Sequence, residues 1–299
     1  MFDYFLRHWR GELPLPVAWW LNGVGLTVLQ LWTDLRGGLF ALFPEPETRL
    51  GIVAILTAGF LLALLVPAWQ VIGIFRTAER RAAAGGTVLA ARLAQSATTL
   101  LAILLATRCI IVAGESVPGV RLALGPESSY SVAVSHSGRL LEIRGALTFG
   151  LARDVERALS AHPAVRRVRL ESGGGALSEA RRLRALIVAG NLDTDSRSLC
   201  ASACVSAYIG GRNRLLSRAA RIGVHLPRNP GFGLRPIVSP AYAQELTYFA
   251  DRGVPLWFLQ RWVQSGREFW YPTPAQLREA GIVHTFFGRP RPGEEFYYR

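Results

Sequence analysis

Apolar residues are spread unevenly along the chain: three long runs lie within the first 114 residues, and the remainder alternates short apolar stretches with charges and glycines. Residues 51 to 75, GIVAILTAGFLLALLVPAWQVIGIF, contain no charge. At ~1.5 Å rise per residue, a helix of that length exceeds a hydrocarbon core of ~30 Å. Residues 15 to 33 are less apolar because Asn22 and Gln30 lie inside, but Trp19, Trp20 and Trp32 sit near the ends, where interfacial anchors are expected. Residues 97 to 114 carry Arg108, which costs ~3 kcal/mol at mid-bilayer unless it snorkels or faces a neighbouring helix. The pattern predicts about three transmembrane helices forming an anchor over residues 1–114, followed by a second domain over residues 115–299.

In the second domain the periodicity changes. SYSVAVSHSGRLLEIRG alternates around a Ser-Gly turn and predicts a β-hairpin. Leu151, Val155 and Leu159 recur at helical spacing, so an amphipathic helix follows. Val165, Val168 and Leu170 then mark a strand that runs into Gly173, Gly174 and Gly175, and ALSEARRLRALIVAGN is a further helix closed by Gly190 and Asn191. A strand across DTDSRSL leads to the turn and helix of CASACVSAYIGG, and AARIGVHLP supplies another strand ending at His225. SPAYAQELTYFADRG, PLWFLQRWVQSG and TPAQLREAG read as helices before a short last strand, IVHTFF. Strands alternating with helices predict an α/β domain with a largely parallel sheet, whose strand ends carry sites. The Gly173–Gly175 turn, Ser202 and His225 would converge there.

Charge adds topology but no nucleic-acid function. The chain has 299 residues, is 50% hydrophobic and carries a net charge of +13, with a mean hydropathy of +0.23. All 34 basic residues are arginine, a bias of the whole chain rather than one basic site, and no stretch interleaves basic and aromatic residues as a nucleic-acid platform does. Arg7 and Arg10 precede the first apolar run, and Arg76, Arg80, Arg81 and Arg92 lie between the second and third, so both segments are expected in the cytoplasm. The 34–50 loop, with Asp34, Glu45 and Glu47 against Arg36 and Arg49, suits translocation. Three spans then deliver the domain after residue 115 to the far side of the bilayer. A cleaved signal peptide is the competing reading of the first run, which lacks a small-x-small cleavage site.

A serine attacks an acyl carbon only if a base takes its proton and fixed N–H donors hold the oxyanion. Singly, Ser202 reads as a helix cap, His225 as a packing or surface histidine and SGGG as a loop. Together they supply nucleophile, base and donors on one sheet. The ordered set LLEIRGALTFGLARDVERAL, VRRVRLESGGGALSEARRLRALI, CASACVSAYIGG, RIGVHLP and YPTPAQLREAGIV resembles the Clp protease and crotonase superfamily over residues 138 to 287. More closely it resembles the membrane-linked or periplasmic branch whose nucleophile segment reads Cys-x-Ser-Ala-Cys. The resemblance implies Ser202 as nucleophile, His225 as base, and the N–H groups of Gly175 and Ala203 as the oxyanion hole, although Gly173 stands where the family usually has proline. The family's acid falls near Phe269, with Glu268 the closest carboxylate; Asp251, Glu245 and a Ser/His dyad without an acid are the alternatives.

On this reading the chain is a multi-pass protein of a bacterial inner membrane with its C-terminal domain periplasmic. Cys200 and Cys204 flank Ser202, and in an oxidising compartment they either bridge, pinning the turn, or pack beneath it as thiols. Two nearby cysteines and one histidine are too few ligands for a metal, and no cofactor is called for. The expected activity is serine peptidase chemistry on a peptide or membrane-protein substrate. The alternative is a non-catalytic binding or scaffold module on the same fold; an acyl-CoA enzyme would find its substrate only in the cytoplasm. The resemblance implies a homo-oligomer, and Trp257, Phe258 and Trp262 suit either an interface or a core.

Overall fold

The computed structural model describes residues 2–35, 48–124, 130–226 and 240–289. The chain divides into a helical unit, built mainly from residues 2–35 and 53–119, and a mixed α/β unit that takes in residues 130–226 and 240–289. The 34–50 loop lies mostly outside the described residues.

In the helical unit, α1 (Phe2–Arg10) is followed by a π-helical stretch (Val17–Gly25) that continues into α2 (Leu26–Leu35), then by α3 (Arg49–Ala83) and α4 (Val88–Leu124). Two helices are long and apolar enough to cross a membrane: α3, and residues Val88–Ile111 of α4. The predicted first span falls on the π-helical stretch and α2, and its polar residues explain that geometry. Gln70 of α3 donates to the carbonyls of Asn22 at 2.7 Å and Gly23 at 3.2 Å. Its own Oε1 accepts from Gln30 Nε2 at 3.1 Å, so a hydrogen bond between side chains ties the first two apolar runs together. Cys109, a free thiol, donates to the Ala63 carbonyl at 2.9 Å.

The α/β unit opens with the antiparallel hairpin β1 (Tyr130–Val134) and β2 (Leu140–Gly145). Beyond it, β3 (Arg167–Glu171), β4 (Asp193–Ser196), β6 (Arg214–Ser217) and β8 (Thr285–Phe287) add in parallel, in the order β1-β2-β3-β4-β6-β8. A separate pair, β5 (Leu199–Ala201) and β7 (Arg221–Gly223), runs parallel, Ala201 opposite Gly223. Helices α5 (Leu151–Ala161), α6 (Leu177–Ala189), α7 (Ala203–Tyr208), α8 (Pro240–Asp251), α9 (Leu256–Ser265) and α10 (Pro274–Glu279) complete it. The alternating pattern is met from the hairpin to the last strand, with two differences.

DTDSRSL is two strands rather than one. The carboxylate of Glu171, at the end of β3, accepts the N–H groups of Arg197 at 2.6 Å and Ser198 at 2.9 Å, which turns the chain out of the main sheet and starts β5. The second difference is β6, which the periodicity did not predict because RLLS is short and bounded by arginines. It forms because Arg214 is buried and its guanidinium is satisfied by the carbonyls of Gly211, Gly281 and Ile282. Burial lowers the Arg214 pKa to about 10. Leu141, Ile143, Val168, Leu170, Leu183 and Tyr208 form the centre of the core, and Phe258 and Trp262, expected at either an interface or a core, are buried with it.

Candidate active site

The small β5–β7 sheet brings the two chemically important residues together. Because its strands are parallel, their C-terminal ends emerge side by side, and Ser202 N–H extends the ladder by one bond to the Gly223 carbonyl, at 2.8 Å. Ser202 then turns directly into α7, with φ 54° and ψ −129°. For a residue with a Cβ this is sparsely populated backbone, a cost on the order of 1–3 kcal/mol that persists only where the surroundings dictate it. Those surroundings include a disulfide between Cys200 and Cys204, both fully buried, which closes the turn around the serine.

His225 lies two residues past the end of β7. Val224 is fixed to Trp270 by reciprocal backbone hydrogen bonds of 2.9 and 2.8 Å. The His225 carbonyl accepts from the Tyr242 hydroxyl at 2.8 Å and from the Trp262 indole at 3.1 Å. Its Nε2 is 2.8 Å from Ser202 Oγ. In the Nδ1–H tautomer Nε2 accepts the serine proton, the contact a general base requires. The Phe269 ring packs against the imidazole with centroids 4.3 Å apart, and Phe269 in turn stacks on Tyr271 at 5.8 Å.

The glycine turn meets the serine from the other side. Gly174 has φ 112°, and a Cβ placed there would stand 2.7 Å from Ser202 Cβ and 3.2 Å from the Ala203 nitrogen. Only glycine allows that approach. The carbonyl of Gly174 and the N–H of Ala176 are both bonded to Leu147, at 2.8 and 2.7 Å, which pins the turn. The N–H groups of Gly175 and Ala203 donate to no acceptor among the described residues, leaving two backbone donors beside Ser202.

The three candidate carboxylates lie elsewhere. Glu268 is exposed, its N–H bonded to the Ser265 carbonyl at 3.2 Å and its carboxylate without a hydrogen bond among the described residues. Asp251 is exposed at the end of α8. Glu245 is buried and accepts from Arg181 at 2.6 Å, from Arg184 at 2.9 and 3.1 Å, and from Ser206. None of these three carboxylates is hydrogen-bonded to His225, and the Phe269 ring stands against the imidazole. Sequence reasoning placed the Gly173–Gly175 turn at the site without singling out Gly174, and it tied neither Tyr242 nor the indole of Trp262 to His225. Gly174 was within reach, as the middle of three glycines. The other two act through the His225 carbonyl, which leaves no mark in a residue pattern. No cluster of metal-ligating side chains occurs among the described residues.

No protein-family profile matches the sequence, and no curated protein matches it. Among solved structures, similar chains include ClpP1 from Listeria monocytogenes, with TM-score 0.43 and 16% identity, and a point mutant of that ClpP1, with TM-score 0.41 and 16% identity. Each alignment covers 51% of this chain and 93% of the other.

Proposed function

We propose that this chain is a membrane-anchored serine hydrolase, a peptidase of Clp protease-like architecture, that acts through Ser202 and His225 outside the cytoplasm. The observation that carries the reading is the 2.8 Å contact between His225 Nε2 and Ser202 Oγ, made by a serine held at positive φ on a strand-to-helix turn. A serine that merely caps a helix needs neither the strained backbone nor the imidazole.

The chemistry follows from that geometry. Ser202 Oγ adds to the carbonyl carbon of a peptide while its proton passes to His225 Nε2, and the N–H groups of Gly175 and Ala203 receive the oxyanion. Collapse of the tetrahedral intermediate breaks the C–N bond, and the imidazolium gives its proton to the departing amine. Water, deprotonated by His225, then releases the acyl group and restores the serine. Nucleophile, base and donors all come from the chain, so the cycle calls for no metal or cofactor. The Phe269 ring, with its centroid 4.3 Å from that of the imidazole, adds the attraction of an aromatic quadrupole for the imidazolium, which acts within ~6 Å.

The membrane reading rests on the outward faces of α3 and α4. Leu61, Leu62, Leu65, Leu100 and Ile103 are all exposed, and in a water-soluble helix such a surface would be an aggregation hazard. With the segment over residues 15–33 as a further span, the arginine-rich segments lie in the cytoplasm and the α/β unit in the periplasm. The substrate is then a peptide or a membrane protein, and the chain works as a homo-oligomer in the bilayer.

The second reading, a binding module without catalysis, is favoured by the placement of Glu268, Asp251 and Glu245, the first two exposed and the third bonded to Arg181, Arg184 and Ser206. One experiment separates the two. The full-length protein in detergent micelles is treated with a fluorophosphonate probe, which esterifies only an activated serine. Wild-type labelling that disappears in Ser202→Ala supports the hydrolase; equal labelling of the two removes Ser202 as nucleophile, and an unreactive wild type leaves the binding module.

A further inference from the structure

We infer that helix α8 is a strut that sets the distance between base and nucleophile, with Tyr242 and Glu245 as positioning residues; this rests on the hydrolase reading above. The two are three residues apart and therefore share one face of α8. Both are buried, at 7% and 2% exposure, so what they touch is fixed by packing.

Each reaches a different half of the site. The Tyr242 hydroxyl donates to the His225 carbonyl at 2.8 Å, which locates the backbone of the base. The Glu245 carboxylate accepts the hydroxyl of Ser206, one turn along α7 from Ser202, and so locates the helix that the nucleophile begins. Arg181 and Arg184 of α6 complete the footing, and Arg184 also donates to Ser206 at 3.0 Å. α6 starts just after the Gly173–Gly175 turn, so the segments bearing donors, nucleophile and base are all tied to one face of α8, directly or through α6.

The choice of groups supports a positioning role. Burial would raise the Glu245 carboxyl pKa, but the Ser206 hydroxyl and the Arg184 and Arg181 guanidiniums outweigh it and hold the group below its ordinary value. A buried ionic cluster gives little stability over an apolar one of the same volume; what it adds is directional geometry. Tyr242 meets the His225 backbone carbonyl and Glu245 the Ser206 hydroxyl, so their effect reaches the reacting pair through backbone.

The test is saturation kinetics of fluorophosphonate labelling on the full-length chain in micelles, for wild type, Tyr242→Phe, Ser206→Ala and the double variant. The inference predicts that each single variant lowers the maximal labelling rate about tenfold, with half-saturating probe concentration within about twofold, because the reacting pair and not the probe site has loosened. The double variant loses less than the product of the two, since both relax the same distance. Single variants that label at the wild-type rate overturn the strut and leave the hydrolase standing. A loss that follows the unfolded fraction, measured by circular dichroism on the same samples, also overturns it. A wild type that does not label fails both.

Discussion

Replacing Gly174 by alanine is the sharpest perturbation of the site that leaves its reacting groups in place. The added Cβ would stand 2.7 Å from Ser202 Cβ and 3.0 Å from the Ala201 carbonyl oxygen, where ordinary carbon contacts begin near 3.4 Å. To restore an ordinary 3.4 Å contact, Ser202 must recede by 3.4 − 2.7 = 0.7 Å, or the glycine turn must move away and take the Gly175 donor with it. Backbone at φ 112° adds a penalty of at least about 1 kcal/mol for a side-chain-bearing residue. A shift of that size taken along the 2.8 Å Ser202–His225 contact would stretch it to about 3.5 Å, the limit of a hydrogen bond, and in any other direction would misalign it. Misplacement on the order of 1 Å costs about a hundredfold in rate. Gly174→Ala should therefore label with fluorophosphonate about a hundredfold more slowly than wild type, while circular dichroism and the melting transition show a folded α/β unit. A folded variant labelling at the wild-type rate would refute the placement of the glycine turn against the nucleophile.

Three further outcomes follow from the same geometry. Reducing the Cys200–Cys204 bridge, or replacing both cysteines by alanine, frees a short loop worth about 2 kcal/mol in the denatured chain, and thermal melts with and without reductant should differ accordingly; identical melts would mean the bridge constrains nothing. Glu245→Gln should destabilise the fold by about 3 kcal/mol at neutral pH, because it removes the buried carboxylate that pairs with both Arg181 and Arg184. Since the Glu245 pKa is lowered in the folded state, its contribution is full above the unfolded value near about 4.3 and disappears as pH falls through the folded value. Acid unfolding below about pH 4 should thus be steeper in wild type than in Glu245→Gln, and parallel curves would contradict the ion cluster. A reporter fused after residue 299 should behave as translocated, and cytoplasmic behaviour would remove the three-span topology.

Much of the α/β unit was legible because its elements repeat simple periods. The hairpin before residue 146, the amphipathic helix at 151–161 and the strand leading into three glycines each follow from local spacing. β6 was not legible, since four residues between arginines form a strand only once β4 and β8 flank them and carbonyls receive Arg214. Nor was the break between β4 and β5, which depends on a carboxylate twenty-six residues upstream. Ser202 and His225 could be paired by reasoning because both follow strands, and parallel strands end together. The surroundings of the imidazole were harder. Glu268 and Phe269 are adjacent in sequence, yet the alternation imposed at Trp270 turns the aromatic ring, not the carboxylate, onto His225. In the helical unit, Asn22 and Gln30 looked like flaws in an apolar run, and only the packing shows their partners: Tyr4 and His8 for the Asn22 side chain, Gln70 for the Gln30 amide.

The most direct test of the central claim is peptide mass mapping of the wild-type chain after reaction with a fluorophosphonate. The account predicts a single phosphonyl adduct on Ser202, lost when His225 is replaced by glutamine. Reaction at Ser198 or Ser206 instead, or adduct formation that persists without the imidazole, would contradict it.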